Sequence, residues 1–201
     1  MTLNWKRVTV AAAVAVVGVL VAWYVILPRF QPHIFGGAVI QSTQRVPRTE
    51  LMSADGPVRM TDFEGKVVVV YFGYTFCPDV CPATLSKLAT SLKILGDRAD
   101  DVQVIMVTVD PARDTAEALK EYVTHFDPTF IGLTGDEAII NQVATLYGVV
   151  YEPAEGSAGT GYTVDHTSTV LLVDKEGYLK LVLPFEGSAE QIASDIDYFL
   201  G

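Results

Sequence analysis

KVVVVYFGYTFCPDVCP, Lys66 to Pro82, carries the only two cysteines of the chain. Val67 to Phe72 is a continuous, largely β-branched apolar run, the pattern of a strand buried on both faces. After a turn the apolar residues recur at Leu85, Leu88, Leu92 and Leu95. That spacing predicts a helix from Pro82 to Leu95, with Pro82 suited to its first turn. Cys77 and Cys81 lie four apart at the helix entry, so both sulfurs can face one side, close enough for a disulfide or for one metal ion. The unpaired N–H groups and positive dipole end of the helix favour thiolate, the species that binds metal and attacks disulfides. Two cysteines at such a turn are hard to account for as packing alone; a redox pair and a metal pair both stay open.

The same alternation continues outward. Val102 to Val109 reads as a second buried strand, Thr115 to His125 as a helix capped by Asp114 or Thr115, and Phe130 to Leu133 as a short strand. Asp136 to Tyr147 reads as a helix closed by Gly148. Thr169 to Val173 and Leu179 to Leu183 form a hairpin across Asp174-Lys175-Glu176-Gly177, and Ser188 caps a closing helix to Leu200. Upstream, Asp55-Gly56 predicts a small hairpin. A βαβα order, a further helix, then ββα is the thioredoxin arrangement, an α/β fold with active residues at the carboxyl ends of parallel strands. Cys77 follows one such end.

At the other extreme, Val8 to Leu27 holds about 20 residues without a charge, long enough as a helix to cross about 30 Å of bilayer core. Trp23 and Tyr24 sit toward its far end, as interfacial rings do, and Lys6 and Arg7 precede it. This reads as an uncleaved single-pass anchor with residues 1–7 as a cytoplasmic tail; a signal peptide usually has an apolar stretch of only about 7–15 residues. Either way the remainder is exported, on the periplasmic side in a bacterium, where its thiols meet an oxidising compartment. Residues 28–48, with three prolines and a Gly-Gly pair, read as a linker, and 49–201 as one domain. Acidic residues outnumber basic ones 24 to 14, which argues against nucleic acid as partner. Two cysteines make no disulfide framework.

DFEGKVVVVYFGYTFCPDVCP (Asp62–Pro82), TVDPARDT (Thr108–Thr115), FIGLTG (Phe130–Gly135) and VDHTSTVLLVDKEG (Val164–Gly177) together resemble the Sco/SenC family, copper proteins that assist cytochrome c oxidase assembly. Four segments in order are far more specific than any one, and the resemblance as a whole covers about 140 residues. The resemblance implies a thioredoxin-like, membrane-anchored copper chaperone rather than an enzyme, with Cys77, Cys81 and His166 as copper ligands. It implies as partner the copper-site subunit of the oxidase or another copper carrier. The alternative is a membrane-anchored thiol-disulfide oxidoreductase with Cys77 and Cys81 as its redox pair. The donor chemistry suits the metal: soft thiolates favour Cu(I), imidazole also suits Cu(II), and a structural zinc site would want a fourth protein ligand. His33 falls in the linker and His125 near a helix end, where a cation suits the dipole. Asp165-His166-Thr167-Ser168-Thr169 stands where ordinary thioredoxin-fold oxidoreductases carry a cis-proline, which favours metal binding over general disulfide exchange. Asp110, Arg113 and Asp114 read as a surface ion pair with a helix cap, or as an acidic rim near the site that orients partners or the groups around the ligands. Asp79 reads as an exposed turn residue, and Tyr71, Phe72, Tyr74 and Phe76 as core or as walls of the site.

Overall fold

The computed structural model describes residues 5–26, 32–42, 45–155 and 161–201. The chain divides into two units, residues 1–34 and 35–201. The first is helix α1 (Trp5–Val21), continued by a wider π-helical turn over Ala22–Ile26. Its stretch Arg7–Val25, 19 residues, is long and apolar enough to cross a membrane. Trp23 and Tyr24 are exposed at its end.

The second unit is built on a six-stranded sheet. Its strands are β1 (Ala38–Val39), β4 (Val67–Gly73), β5 (Val102–Thr108), β6 (Ile131–Leu133), β9 (Val170–Val173) and β10 (Leu179–Leu183), in spatial order β1-β10-β9-β4-β5-β6. Every residue of β4 and β5 is buried, as their unbroken β-branched runs require. They pair in parallel from Val67↔Val102 to Gly73↔Thr108, and β5 pairs in parallel with β6. β9 runs antiparallel to β4 and β10 to β9. The expected thioredoxin-like βαβ and ββα halves thus meet at the β4/β9 pairing.

Helices α2 (Val80–Leu95), α3 (Ala116–Thr124) and α4 (Glu137–Leu146) connect or follow the parallel strands, and α5 (Ala189–Leu200) closes the chain against α2. Two helix starts are sealed as the sequence suggests. The Thr115 hydroxyl accepts from the Ala118 amide and the Ser188 hydroxyl from the Gln191 amide, each cap worth about 1 kcal/mol. Two small hairpins lie outside the main sheet. β2 (Glu50–Ser53) with β3 (Gly56–Arg59) turns at Asp55-Gly56 and is tied by Met52 to Thr134. β7 (Tyr151–Glu155) with β8 (Tyr162–His166) forms a separate ribbon.

The segment read as a linker is a correction. From Phe35 onward it packs on the domain: the Phe35 ring meets Tyr198 edge-on at 5.0 Å, and Val46 is buried. β1 pairs with β10 through Ala38↔Val182 and Val39↔Leu181. The physical reason is the free edge of β10, whose backbone groups need partners. Gly37 permits the approach, because a Cβ there would come within 2.2 Å of the Val182 carbonyl oxygen. A two-residue strand after Gly-Gly leaves no period-2 signal to read.

Candidate metal centre

The site forms where β4 ends. Gly73 is its last residue, Cys77 lies in the loop beyond, and Cys81 is in the first turn of α2. Both cysteines are free thiols, Cys77 half-buried and Cys81 with no exposed surface. Helix α2 begins two residues before Pro82, so the proline sits within the first turn, where its missing N–H costs nothing. The amide of Cys81 donates to the Cys77 sulfur at 3.4 Å.

His166 arrives from the other direction, as the last residue of β8, facing Tyr151 across the ribbon. Its Nδ1 lies 3.1 Å from the Val164 carbonyl oxygen. A carbonyl only accepts, so Nδ1 carries the proton and the Nε2 lone pair is left available. That Nε2 stands 3.7 Å from the Cys81 sulfur. The Tyr71 hydroxyl, from within β4, lies against both, 3.3 Å from the Cys81 sulfur and 3.4 Å from Nε2. The rings of Tyr74 and Tyr71 stand edge-on to the imidazole, with centroids at 5.8 and 6.3 Å.

Electrostatics separate the two cysteines. The Cys77 thiol is lowered to about 5, first by a hydrogen bond from the Cys81 thiol, then by the backbone N–H groups of Asp79 and Cys81 and the nearby His166. Cys81 is pushed up, first because its thiol donates to Cys77 and then by burial. Tyr71 is likewise raised, chiefly by burial. One thiolate, on the more accessible sulfur, and one retained proton describe the pair.

The three sequence-chosen residues are therefore neighbours. Among the described residues no three His, Cys, Asp or Glu side chains already converge as a metal cage; Cys81 faces His166, and Cys77 adjoins Cys81. The donor set, two sulfurs and an imidazole with its outer nitrogen tied to a carbonyl, fits a soft monovalent or borderline divalent ion. The remaining assignments divide. His125 is an exposed helix-end residue stacked edge-on against Phe126 at 5.6 Å, and His33 belongs to the N-terminal unit. Asp79 is exposed. Tyr71 and Tyr74 wall the site, Phe72 packs on Tyr147 in the core, and Phe76 is 53% exposed.

The ion pair of the Asp110–Asp114 loop is not at the surface, since Arg113 pairs with a buried Asp110. Asp110 and Asp114 are buried, and Asp114 accepts from the Thr75 amide at 3.1 Å, the Thr75 hydroxyl at 2.5 Å and the Thr108 hydroxyl at 2.6 Å. Sequence reading also missed Gly73. A Cβ there would lie 2.9 Å from the Cys81 sulfur, so the glycine makes the space that the sulfur occupies. Its signal was available: a glycine closing a buried strand, eight residues before a candidate ligand.

The class that the fold and site define is a thioredoxin-like domain with two free cysteines at a strand-to-helix turn and a histidine beside the buried one. Residues 40–201 match the SCO1/SenC family, and the chain belongs to it. It is 41% identical over 134 residues to a SCO2-like protein of Rickettsia conorii, an alignment covering 65% of this chain and 65% of that relative's length. The solution structure of apo Sco1 from Thermus thermophilus superposes with a TM-score of 0.73 at 37% identity, covering 83% of this chain and 97% of that one. Bradyrhizobium japonicum ScoI, a structure with copper bound, gives 0.71 at 35%, covering 78% and 100%.

Proposed function

We propose that this protein binds one copper ion through Cys77, Cys81 and His166 and hands it to the copper-site subunit of cytochrome c oxidase, or to another copper carrier, during oxidase assembly. The observation that carries this reading is the histidine: its Nε2 lone pair is turned toward the Cys81 sulfur at 3.7 Å, with the tautomer held by the Val164 carbonyl. Family membership and the copper in the Bradyrhizobium relative support it. The two sulfurs serve Cu(I); the imidazole adds the nitrogen that Cu(II) needs. A site of three donors, two of them (Cys77 and His166) half-exposed, lets an incoming thiolate replace ligands one at a time.

The apolar N-terminal helix serves as a single-pass anchor, with the domain on the extracytoplasmic side, periplasmic in a bacterium. The folded domain begins at Phe35, so the connection to the anchor is shorter than 28–48.

A second reading has its own support. The lowered Cys77 thiol beside a buried Cys81 is the arrangement of an attacking and a resolving thiol. As an oxidoreductase the protein would reduce a partner's disulfide and itself end as the Cys77–Cys81 disulfide. His166→Ala separates the two. The chaperone reading expects some Cu(I) retained, the Cu(II) absorption lost and disulfide formation intact. Unchanged copper stoichiometry and spectra with a shifted thiol potential would leave the reductase as the better account.

A further inference from the structure

The proposed ligands come from two pieces of chain joined at their base by the β4–β9 ladder, whose last pair, Tyr71↔Val170, lies four residues beyond His166. Cys77 and Cys81 follow β4 of the main sheet, and His166 ends the separate β7–β8 ribbon. Beyond that ladder, side chains set how the ribbon lies against the cysteine loop. Tyr74 contributes one tie, accepting from the Val164 amide at 3.2 Å. Tyr71 contributes another through its hydroxyl, 3.4 Å from His166 Nε2, and a further group of contacts centres on the Asp110–Asp114 loop.

We infer that Arg113 is a positioning residue that holds the histidine ribbon against the cysteine loop. On the ribbon side its Nη1 donates to the Tyr162 carbonyl at 3.0 Å, and its guanidinium lies 3.7 Å from the Tyr162 ring centroid. On the cysteine side the same group lies 4.8 Å from the ring of Phe76, the neighbour of Cys77, and 5.7 Å from Tyr74. Its Nε donates to Asp110, whose other oxygen accepts from the Tyr162 hydroxyl at 2.7 Å. The next acid, Asp114, locks the loop to Thr75. One short loop thus grips the cysteine turn with Asp114 and the ribbon with Arg113 and Asp110. A guanidinium suits the task because its flat fork can stack on one ring and donate in its plane to two acceptors, which an ammonium cannot do.

This inference rests on the proposed ligand set. The test uses the full chain in detergent, comparing wild type, Arg113→Met, Arg113→Lys and His166→Ala. Arg113→Met removes the fork and keeps an apolar stem. It should hold one equivalent of Cu(I) and still form the Cys77–Cys81 disulfide, while Cu(II) binds about 10- to 100-fold more weakly. The nitrogen coupling in the Cu(II) electron paramagnetic resonance spectrum should weaken with it. In the metal-free protein the His166 ring signals in NMR should broaden or average. Arg113→Lys keeps the charge opposite Asp110 and should fall between the two. If the methionine variant fails to fold, the lysine variant carries the same comparison. Wild-type Cu(II) affinity and nitrogen coupling in either folded variant, alongside their loss in His166→Ala, would overturn the role of Arg113 and leave the ligand set standing. Wild-type behaviour of His166→Ala itself would remove the ligand set and this inference with it.

Discussion

Gly73→Ala is the smallest change that should damage the site without touching a donor atom. The added methyl would lie 2.9 Å from the Cys81 sulfur, 2.7 Å from a Tyr71 ring carbon and 3.2 Å from the Met106 methyl. Such contacts settle near 3.5–4.0 Å, so sulfur and ring must each retreat by about 1 Å. Neither has room, since Tyr71 and Cys81 expose no surface. Overpacking of this kind costs about 1–3 kcal/mol of stability. A sulfur displaced by that distance should bind Cu(I) about 10- to 100-fold more weakly, the range seen when ligand-orienting contacts are lost. The assay is a double-mutant cycle in denaturant unfolding of the metal-free protein, with Cu(I) competition on the cysteine-containing forms. Cys81→Ala removes the sulfur that the methyl strikes, so the two substitutions should be less harmful together than their sum by about 1 kcal/mol. Strictly additive losses, or normal Cu(I) affinity in Gly73→Ala, would refute the account of Gly73 as the space for Cys81.

Tyr71→Phe deletes a hydrogen bond to the Cys81 sulfur that only the reduced protein can use, worth about 0.5–1.5 kcal/mol. The thiol–disulfide potential should become more negative by about 10–30 mV, as read by glutathione equilibration; a shift the other way contradicts the assigned bond. Cys77, lowered to about 5, is a thiolate above that pH and a thiol below it. Its alkylation by iodoacetamide in the metal-free protein should therefore run nearly level from pH 8 to pH 6 and fall about tenfold per unit below about pH 5; a rate that falls through pH 8 instead would show an ordinary thiol. A chain starting at Phe35 should unfold cooperatively, whereas one starting at Arg48 loses β1, Val46 and the Phe35 contacts. That second chain should be less stable by on the order of 3–5 kcal/mol, and equal denaturation midpoints would return residues 35–48 to the status of linker.

What could be read from the sequence follows from how each signal is written. β4 and β5 announced themselves because strands buried on both faces must be apolar at every position. The cysteine pair and His166 were legible as chemistry, and the four-segment resemblance placed them together. The edge strand β1 was not legible, since two residues after a glycine pair carry no period and their partner is about 140 residues away. Asp114 was misread for a related reason. A charged residue in a loop looks solvated until Thr75 and Thr108 are known to surround it, and one of those lies on another element. Burial of a charge is a property of its neighbours, and local sequence records only those next in line.

The unequal exposure of the two cysteines imposes an order of events on any exchange. A partner's sulfur approaching from solvent meets Cys77 first, because Cys81 lies behind it with no accessible surface, backed by Tyr71 and the space at Gly73. On the proposed ligand set, a partner's sulfur would therefore engage Cys77 before Cys81. Cys81 would then be the sulfur that a departing ion leaves last. The two sulfurs would then act as latch and hinge: whatever its size and chemistry, a partner reaches the inner sulfur only past the outer one.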